Sequence, residues 1–449
     1  MAPTQHAMFT SSSDSNDSPI PNTRWNEKRA WLRQSRDFAE PGPPPDGGWE
    51  SWSQVLGGFI VVFLCWGFIL SFGLFQTFYA SQDYIDASQS AISWIGSIQI
   101  FLLMAIGAYS GSASDSGYFR LTTIVGQCLF VFGIFMTSVS REYYQLVLSH
   151  GVTTGIGMGL FFIPTMSVVS TYWTSKRKSL AIGCMLCGAA VGGMLLPTMF
   201  NSLLPRIGVG WTLRTFGFIA AVLFGCAQVL LKKRLPPKDE VRILDFEALK
   251  DLKFILFVVG SFLNFLGLYF AFFFIGSYVR NVLGVSFSRS NMILLVINGT
   301  GIPGRLIPMW LADQRQWTGI RPVTVQIPLN LATSILLFAW IAVKDESSAY
   351  IFAAFYGFAA NAVQSLFPAT LADMTSDPRK IGAQIGWGFT ISSFSCLTGN
   401  PIGGILVQAD GGEYTYAQIY AGICTMCGCA VVTVVAWLRI KEQQKIDAG

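Results

Sequence analysis

From residue 52 to residue 438 the chain alternates between long apolar runs and short polar connections. An α-helix needs roughly 20 apolar residues to cross a hydrocarbon core about 30 Å thick. Twelve runs are of about that length: Ser53–Ala80, Ser90–Tyr109, Leu121–Val139, Gln145–Thr171, Ser179–Leu203 and Trp211–Leu231, then Phe254–Tyr278, Ser290–Ala312, Pro322–Val343, Ala349–Leu371, Ile381–Val407 and Tyr416–Leu438. Each far exceeds the ~10 residues of a barrel strand and lacks strict in/out alternation, so the pattern predicts helices. The fold class expected is an all-α polytopic membrane protein with twelve transmembrane helices in two six-helix halves.

Residues 1–51 are polar, with Ser11-Ser12-Ser13 early and Pro43-Pro44-Pro45 late, and hold no apolar core with a small-residue cleavage site. They read as a disordered cytosolic N-terminal tail, not a signal peptide. The longest later polar gap, residues 232–253, carries Pro236-Pro237 and seven basic residues. It is expected to be a cytosolic central loop joining an N-terminal bundle, 52–231, to a C-terminal bundle, 254–438, with a cytosolic tail at 439–449. Parallel repeats of this kind hold their solute between the halves near the bilayer midplane.

Composition agrees, with 52% hydrophobic and 12% charged residues, about half the ~25% charge of a soluble domain. With the N-terminus inside, the cytosolic segments carry 23 Lys and Arg and the opposite connections five. Cytosolic segments keep the basic excess, so both termini are expected inside. The same asymmetry accounts for the net charge of +5 and removes any argument for nucleic-acid binding.

All nine cysteines fall inside predicted spans, which excludes disulfides between outer loops. Cys184/Cys187 and Cys424/Cys427 have CxxC spacing, but each pair is mid-helix with no second ligand pair nearby, so packing is favoured over metal or redox chemistry. Two histidines and almost no intramembrane carboxylates argue against an enzyme. No G-x-x-x-x-G-K-[ST] segment supports ATP-driven transport. No cofactor is expected. Asn298-Gly299-Thr300 and Asn16-Asp17-Ser18 match glycosylation acceptors, but one lies within a span and the other in the cytosolic tail.

Equivalent connections of the two halves carry equivalent charges. Gly111-Ser-Ala-Ser-Asp115 with Arg120 follows the second span, and Met309-Trp-Leu-Ala-Asp313 with Arg315 follows the eighth. Such an Asp, with an Arg a few residues on, can pair across the bundle and cap neighbouring helix ends in one conformation, which would make it a gate. The alternative is a solvated turn.

Arg305 is the leading candidate for solute binding, since an ionisable group at membrane depth costs at least ~2.5 kcal/mol and marks function by default. It lies ~22 Å below the outer end of its span, with Asn298 two turns earlier on the same face. A guanidinium there can hold a carboxylate or enolate bidentately. The competing reading is snorkelling to the cytosolic interface. Asn361 and Gln364 share a face of the tenth span, with Pro368 able to loosen it. Asn264 and Gln76 are similar single polar groups. Each could line the solute site or merely hold helices together. His150 reads as interfacial, with proton relay as the alternative. Gly151, Gly155 and Gly159, like Gly188 and Gly192, recur every four residues and let helices four and five approach closely and slide.

The repeated G-x-x-x-D motif with following basic residues resembles the major facilitator superfamily. The first copy fits, and the second has Met309 in place of Gly. Pro45-Asp46-Gly47-Gly48-Trp49, followed by Trp66-Gly67 and Phe72-Gly73-Leu74-Phe75-Gln76, resembles the fungal branch of the monocarboxylate porter family. So do Tyr172-Trp173, the cluster Lys176, Arg177 and Lys178, then Ala181, Gly183, Gly188 and Gly192, with Gly304-Arg305 and Gly399-Asn400-Pro401-Ile402-Gly403-Gly404. The resemblance covers residues 41 to 438. It implies the major facilitator fold and a gating role for the motif charges Asp115, Arg120, Asp313 and the Lys176 cluster. Animal proton-lactate members of that family use a Lys in helix 1 and an Asp one turn before the helix 8 Arg. Leu70 and Gly301 stand at those places, so proton coupling through those groups is not carried over.

The resulting expectation is a secondary active transporter in a cell membrane that moves a monocarboxylate, organic acid or secondary metabolite by alternating access. Its partners would be the lipid bilayer, the solute and, as a candidate, a proton. The alternative is a non-transporting solute sensor of the same fold, which the short, module-free termini disfavour.

Overall fold

A computed structural model describes residues 42–79, 85, 87, 89–174, 176–236, 247–314, 321–375, 377 and 380–448. The first 41 residues and Arg315 lie outside these, and Gln76 is described in its backbone only. Pro43–Gly449 pack as one compact unit.

Helices form where the apolar pattern places them. Helix α1 runs Gly48–Leu70 and resumes as Phe72–Tyr79, broken at Ser71, whose hydroxyl donates to Gly67 O at 2.7 Å. Helix α2 comprises Gln89–Ala105 and Gly107–Ala113, and α3 is Phe119–Val139. Helix α4 opens as Tyr143–Leu146, widens into a π-turn at Val147–Thr153 and continues as Thr154–Thr171. Helices α5 and α6 are one element, Lys178–Leu230, broken at Gly208. The second half comprises α7 (Leu252–Asn281), α8 (Phe287–Asp313), α9 (Pro322–Ala339, with a 3-10 turn Trp340–Ala342), α10 (Glu346–Met374), α11 (Ile381–Ala409) and α12 (Thr415–Ala448).

Among the described residues nine helices are long and apolar enough to cross a membrane, and two of them, Ala91–Val139 and Lys178–Leu230, are about twice a crossing length. These two reverse at Gly117 (φ 102°) and Gly208 (φ 72°), a left-handed conformation that glycine adopts without steric cost. Helix α11 is more polar because Ser392, Ser393, Ser395 and Asn400 face the interior. Twelve passages result.

Small residues set which helices touch. A Cβ on Gly192 of α5 would lie 2.7 Å from Gly67 Cα of α1. The α4 glycines fall on α2 instead, Gly155 against Gln99 O and Gly159 against Leu102 O. The two stripes therefore bind separate neighbours, because the α1 and α2 backbones occupy the space beside them. Gly192→Ala is expected to destabilise the bundle by ~1–3 kcal/mol through overpacking, read as a lower unfolding temperature in detergent. Gly225→Ala, on an exposed helix face with nothing within 4 Å, is the control expected to cause no loss.

The Pro45–Trp49 motif is a structural bolt. Asp46, at φ 53°, accepts from the Thr174 N–H (3.0 Å) and hydroxyl (2.8 Å), and its own N–H donates to Tyr172 O. Trp52 meets Trp173 edge-on at 5.1 Å. The start of α1 is thereby tied to the α4–α5 connection.

Candidate functional site

At one end of the molecule two carboxylates cross between the halves. Asp115, just past α2, accepts from the Ala383 N–H (2.9 Å) in the first turn of α11. Asp313, the last residue of α8, accepts from the N–H groups of Ser179 (2.9 Å) and Leu180 (2.7 Å) in the first turn of α5. The first turn of a helix has unpaired N–H groups and a partial positive charge, which a carboxylate satisfies on both counts. Helices 2 and 11 correspond to helices 8 and 5 in the repeat, so one contact is made twice. The Met309 departure also has a local cause. Gly111 abuts Gly382 backbone to backbone, whereas Met309 fills the space beside Gly183, where a Cβ would meet its Cγ at 3.0 Å.

The basic partners of the motif are arranged differently from expectation. Arg120 is exposed and donates to the Gln228 carbonyl and side-chain oxygen in α6, bonds that stay inside the first half. Lys176 and Arg177 are exposed ahead of α5, while Lys178 opens that helix within electrostatic reach of Asp373 and Asp313. Lys233 Nζ instead reaches the Ser114 and Asp115 carbonyls.

At the opposite end a cleft separates α1 from α7 and α8, lined in part by Leu70, Phe273, Arg280 and Asn291. Between the cleft and the carboxylate caps lies a cavity lined by Trp66, Phe162, Leu186, Ala189, Phe265, Tyr269, Arg305, Gln364, Ser365, Phe367, Pro368 and Phe389. Arg305 is the one charged residue in that lining. It is 2% exposed, and its Nη1 has no hydrogen-bond partner among the described residues. Gly301, one turn away, brings no side chain to it: a Cβ there would sit 3.0 Å from Nη1. A side chain lining this cavity is not extended to an interface.

The predicted polar residues separate into two groups. Gln364 lines the cavity with its Nε2 unpartnered, and Asn361 packs directly behind, beside Gly301, donating to Gly357 O (2.7 Å) and Ile297 O (3.3 Å). Asn298 and Asn264 are not brought to the cavity. Asn298 donates to Leu294 O and packs on Gly193 of α5, and Asn264 donates to Gly260 O and packs on Gly428 of α12. An Asn can satisfy its own amide on a carbonyl one turn back, so polarity at membrane depth does not by itself identify the solute-facing side.

His150, near the outer end of α4, is fully buried within the bundle. The bend of α1 wraps Phe68, Phe72 and Phe75 around it, and its Nδ1 pairs with the Tyr79 hydroxyl at 2.9 Å. Trp66, Tyr269 and Ser365 line the cavity without a pattern in the sequence that predicts it. Ser365 directly follows Gln364, and Trp66 and Tyr269 are aromatic residues with a polar atom inside predicted spans, signals that are present in the sequence but not specific.

These features define an integral, multi-pass helical membrane protein in which two half-bundles enclose a central, singly charged cavity. The Major Facilitator Superfamily profile matches residues 55–400, and the chain belongs to that superfamily. It is a transporter of this type, not an enzyme. It is 40% identical over 410 residues, 91% of each chain, to an MFS-type transporter of Gibberella zeae. It is 31% identical to the aspyridones efflux protein apdF of Emericella nidulans, over 87% of this chain and 78% of that relative. Among solved structures it resembles the human organic anion transporter MFSD10 (TM-score 0.66, 14% identity, 85% of this chain and 99% of that one). It also resembles FucP in the outward conformation (TM-score 0.64, 14% identity, 85% and 98%).

Proposed function

We propose that the protein is a secondary active transporter that exports a small organic anion, a secondary metabolite, across the cell membrane by alternating access. The observation that carries this reading is a cavity between two halves whose one charge, Arg305, has no carboxylate among the residues lining it. A buried guanidinium without a counter-ion is costly, and an anionic solute is the group that offsets it. The carboxylate caps close one end and the cleft opens the other, as one state of a rocking cycle requires. The basic excess supports a cytosolic position for the capped end and both termini. The motif residues from Pro45 to Trp49 and around Arg305 support a place in the fungal monocarboxylate-porter-like branch. The efflux named for the Emericella nidulans relative supports export.

In this cycle the halves 52–231 and 254–438 are the rocking bodies. Asp115 and Asp313 hold the capped end until solute in the cavity favours the alternative packing. Leu70 and Gly301 remove two groups through which a proton could couple, so a coupling proton would have to use others.

The test is flux in proteoliposomes loaded with a labelled panel of organic acids and metabolites, with a pH gradient imposed or collapsed and no ATP. Saturable movement of at least one anion is the expected result, and gradient-driven accumulation would show proton coupling. A solute that binds but never crosses would replace transport with sensing.

A further inference from the structure

The six rings lining the cavity touch in an unbroken series. Trp66 meets Phe162 (5.7 Å between ring centroids), Phe162 meets Phe389 (5.6 Å), and Phe389 meets Phe367 (5.1 Å). Phe367 then meets Phe265 (5.1 Å), and Phe265 meets Tyr269 (5.7 Å). The series begins on α1 and α4, crosses to α11 and α10, and ends on α7, so both halves contribute to one aromatic wall.

Four polar atoms of residues that line the cavity are buried without a partner among the described residues: Trp66 Nε1, Arg305 Nη1, Gln364 Nε2 and Ser365 Oγ. The indole and guanidinium nitrogens can only donate hydrogen bonds. No Asp or Glu lines the cavity. A buried donor left without an acceptor carries the full cost of its lost hydration. Arg305 gains most from an anionic partner, which it can hold through two parallel N–H groups. An aliphatic acid as short as lactate could answer Arg305 but would leave the ring wall uncovered. A neutral hydrocarbon would cover the wall and leave every donor unmet.

We infer that the solute is an aromatic organic anion with at least two neighbouring oxygen acceptors. Its ring packs on the Trp66–Tyr269 wall, and its oxygens lie against Arg305, Trp66, Gln364 and Ser365. This rests on the transporter reading for its biological meaning, and on the cavity alone for its chemistry. Arg305 supplies charge recognition. Trp66 contributes both ring contact and a donor, and because it comes from the half opposite Arg305 the ligand bridges the two bodies.

The experiment measures binding of 1-hydroxy-2-naphthoate to the purified full-length protein in nanodiscs by calorimetry. Its methyl ester, decanoate and lactate are the comparison ligands. Naphthoate is expected to bind at least about tenfold more tightly than any of the three. Arg305→Lys, which keeps charge and loses the fork, and Trp66→Phe, which keeps a ring and loses the donor, should each weaken it about tenfold, roughly one hydrogen bond's worth. The unfolding temperature should stay unchanged, because neither Nη1 nor Nε1 has a protein partner to lose. Equal binding of decanoate and naphthoate, no naphthoate binding, or wild-type affinity in both variants overturns the inference. Naphthoate that binds as expected yet never crosses a proteoliposome membrane upholds it and overturns the transporter reading instead.

Discussion

Arg305→Ala is expected to reduce transport, as kcat/KM at matched amounts of protein in the membrane, by about 100-fold or more. Arg305 is 2% exposed with Nη1 unpartnered, so the hydrogen-bonding capacity of that nitrogen is not spent within the described residues. Charge-assisted hydrogen bonds contribute ~1.5–3 kcal/mol each, and a bidentate pair therefore ~3–6 kcal/mol, or roughly 10²- to 10⁴-fold. Arg305→Lys should fall between wild type and Ala. The fold should survive, since truncation deprives no protein group at Nη1 of a partner and removes a buried charge. Undiminished flux in the alanine variant, with folding intact, would leave Arg305 no part in the transport cycle.

Gly301 sharpens this expectation. A carboxylate at that position would sit against Arg305 and Asn361, since even a Cβ there meets both. The protein would then supply its own counter-ion and compete with the solute. With glycine in place, the charge on Arg305 stays available.

What could be read from the chain follows from the range of each signal. The twelve passages were legible because membrane thickness acts on every one of them separately, and an apolar run reports it without reference to neighbours. The paired Asp115 and Asp313 were legible for a related reason: each recurs at the same offset after its helix, and duplication shows in a single sequence. Facing was not legible. Asn298 lies on the same helix as Arg305 yet packs against Gly193, and which side of α8 meets α5 depends on glycines more than 100 positions away. The burial of His150 was not legible because it is set by the α1 bend at Ser71, a local break that hydropathy does not register. Trp66 stood in view as a motif residue, but its role in the cavity depends on rings from α4 and α11.

The second large effect is expected at the caps. In Asp313→Ala two helix N–H groups, those of Ser179 and Leu180, lose a buried carboxylate, and in Asp115→Ala at least that of Ala383 does. At ~1.5–3 kcal/mol for each hydrogen bond to a charged group, either change moves the balance between capped and uncapped states by about tenfold or more toward uncapping. Both carboxylates bias the same two-state equilibrium from separate places, so their free energies should add and the double variant should shift it by the product of the single effects. Asn at either position keeps an acceptor but loses the charge that favours a helix N-terminus, which places it between Asp and Ala. Spin labels at exposed Lys176 and Lys250, in a chain freed of its nine cysteines, would report the separation of the halves at this end. A longer-distance population should grow from single to double variant, and transport should fall as the cycle stalls in one state. An unchanged distance distribution in the double variant would mean that glycine contacts such as Gly107 with Gly386 hold this end closed and that the carboxylates only cap their helices.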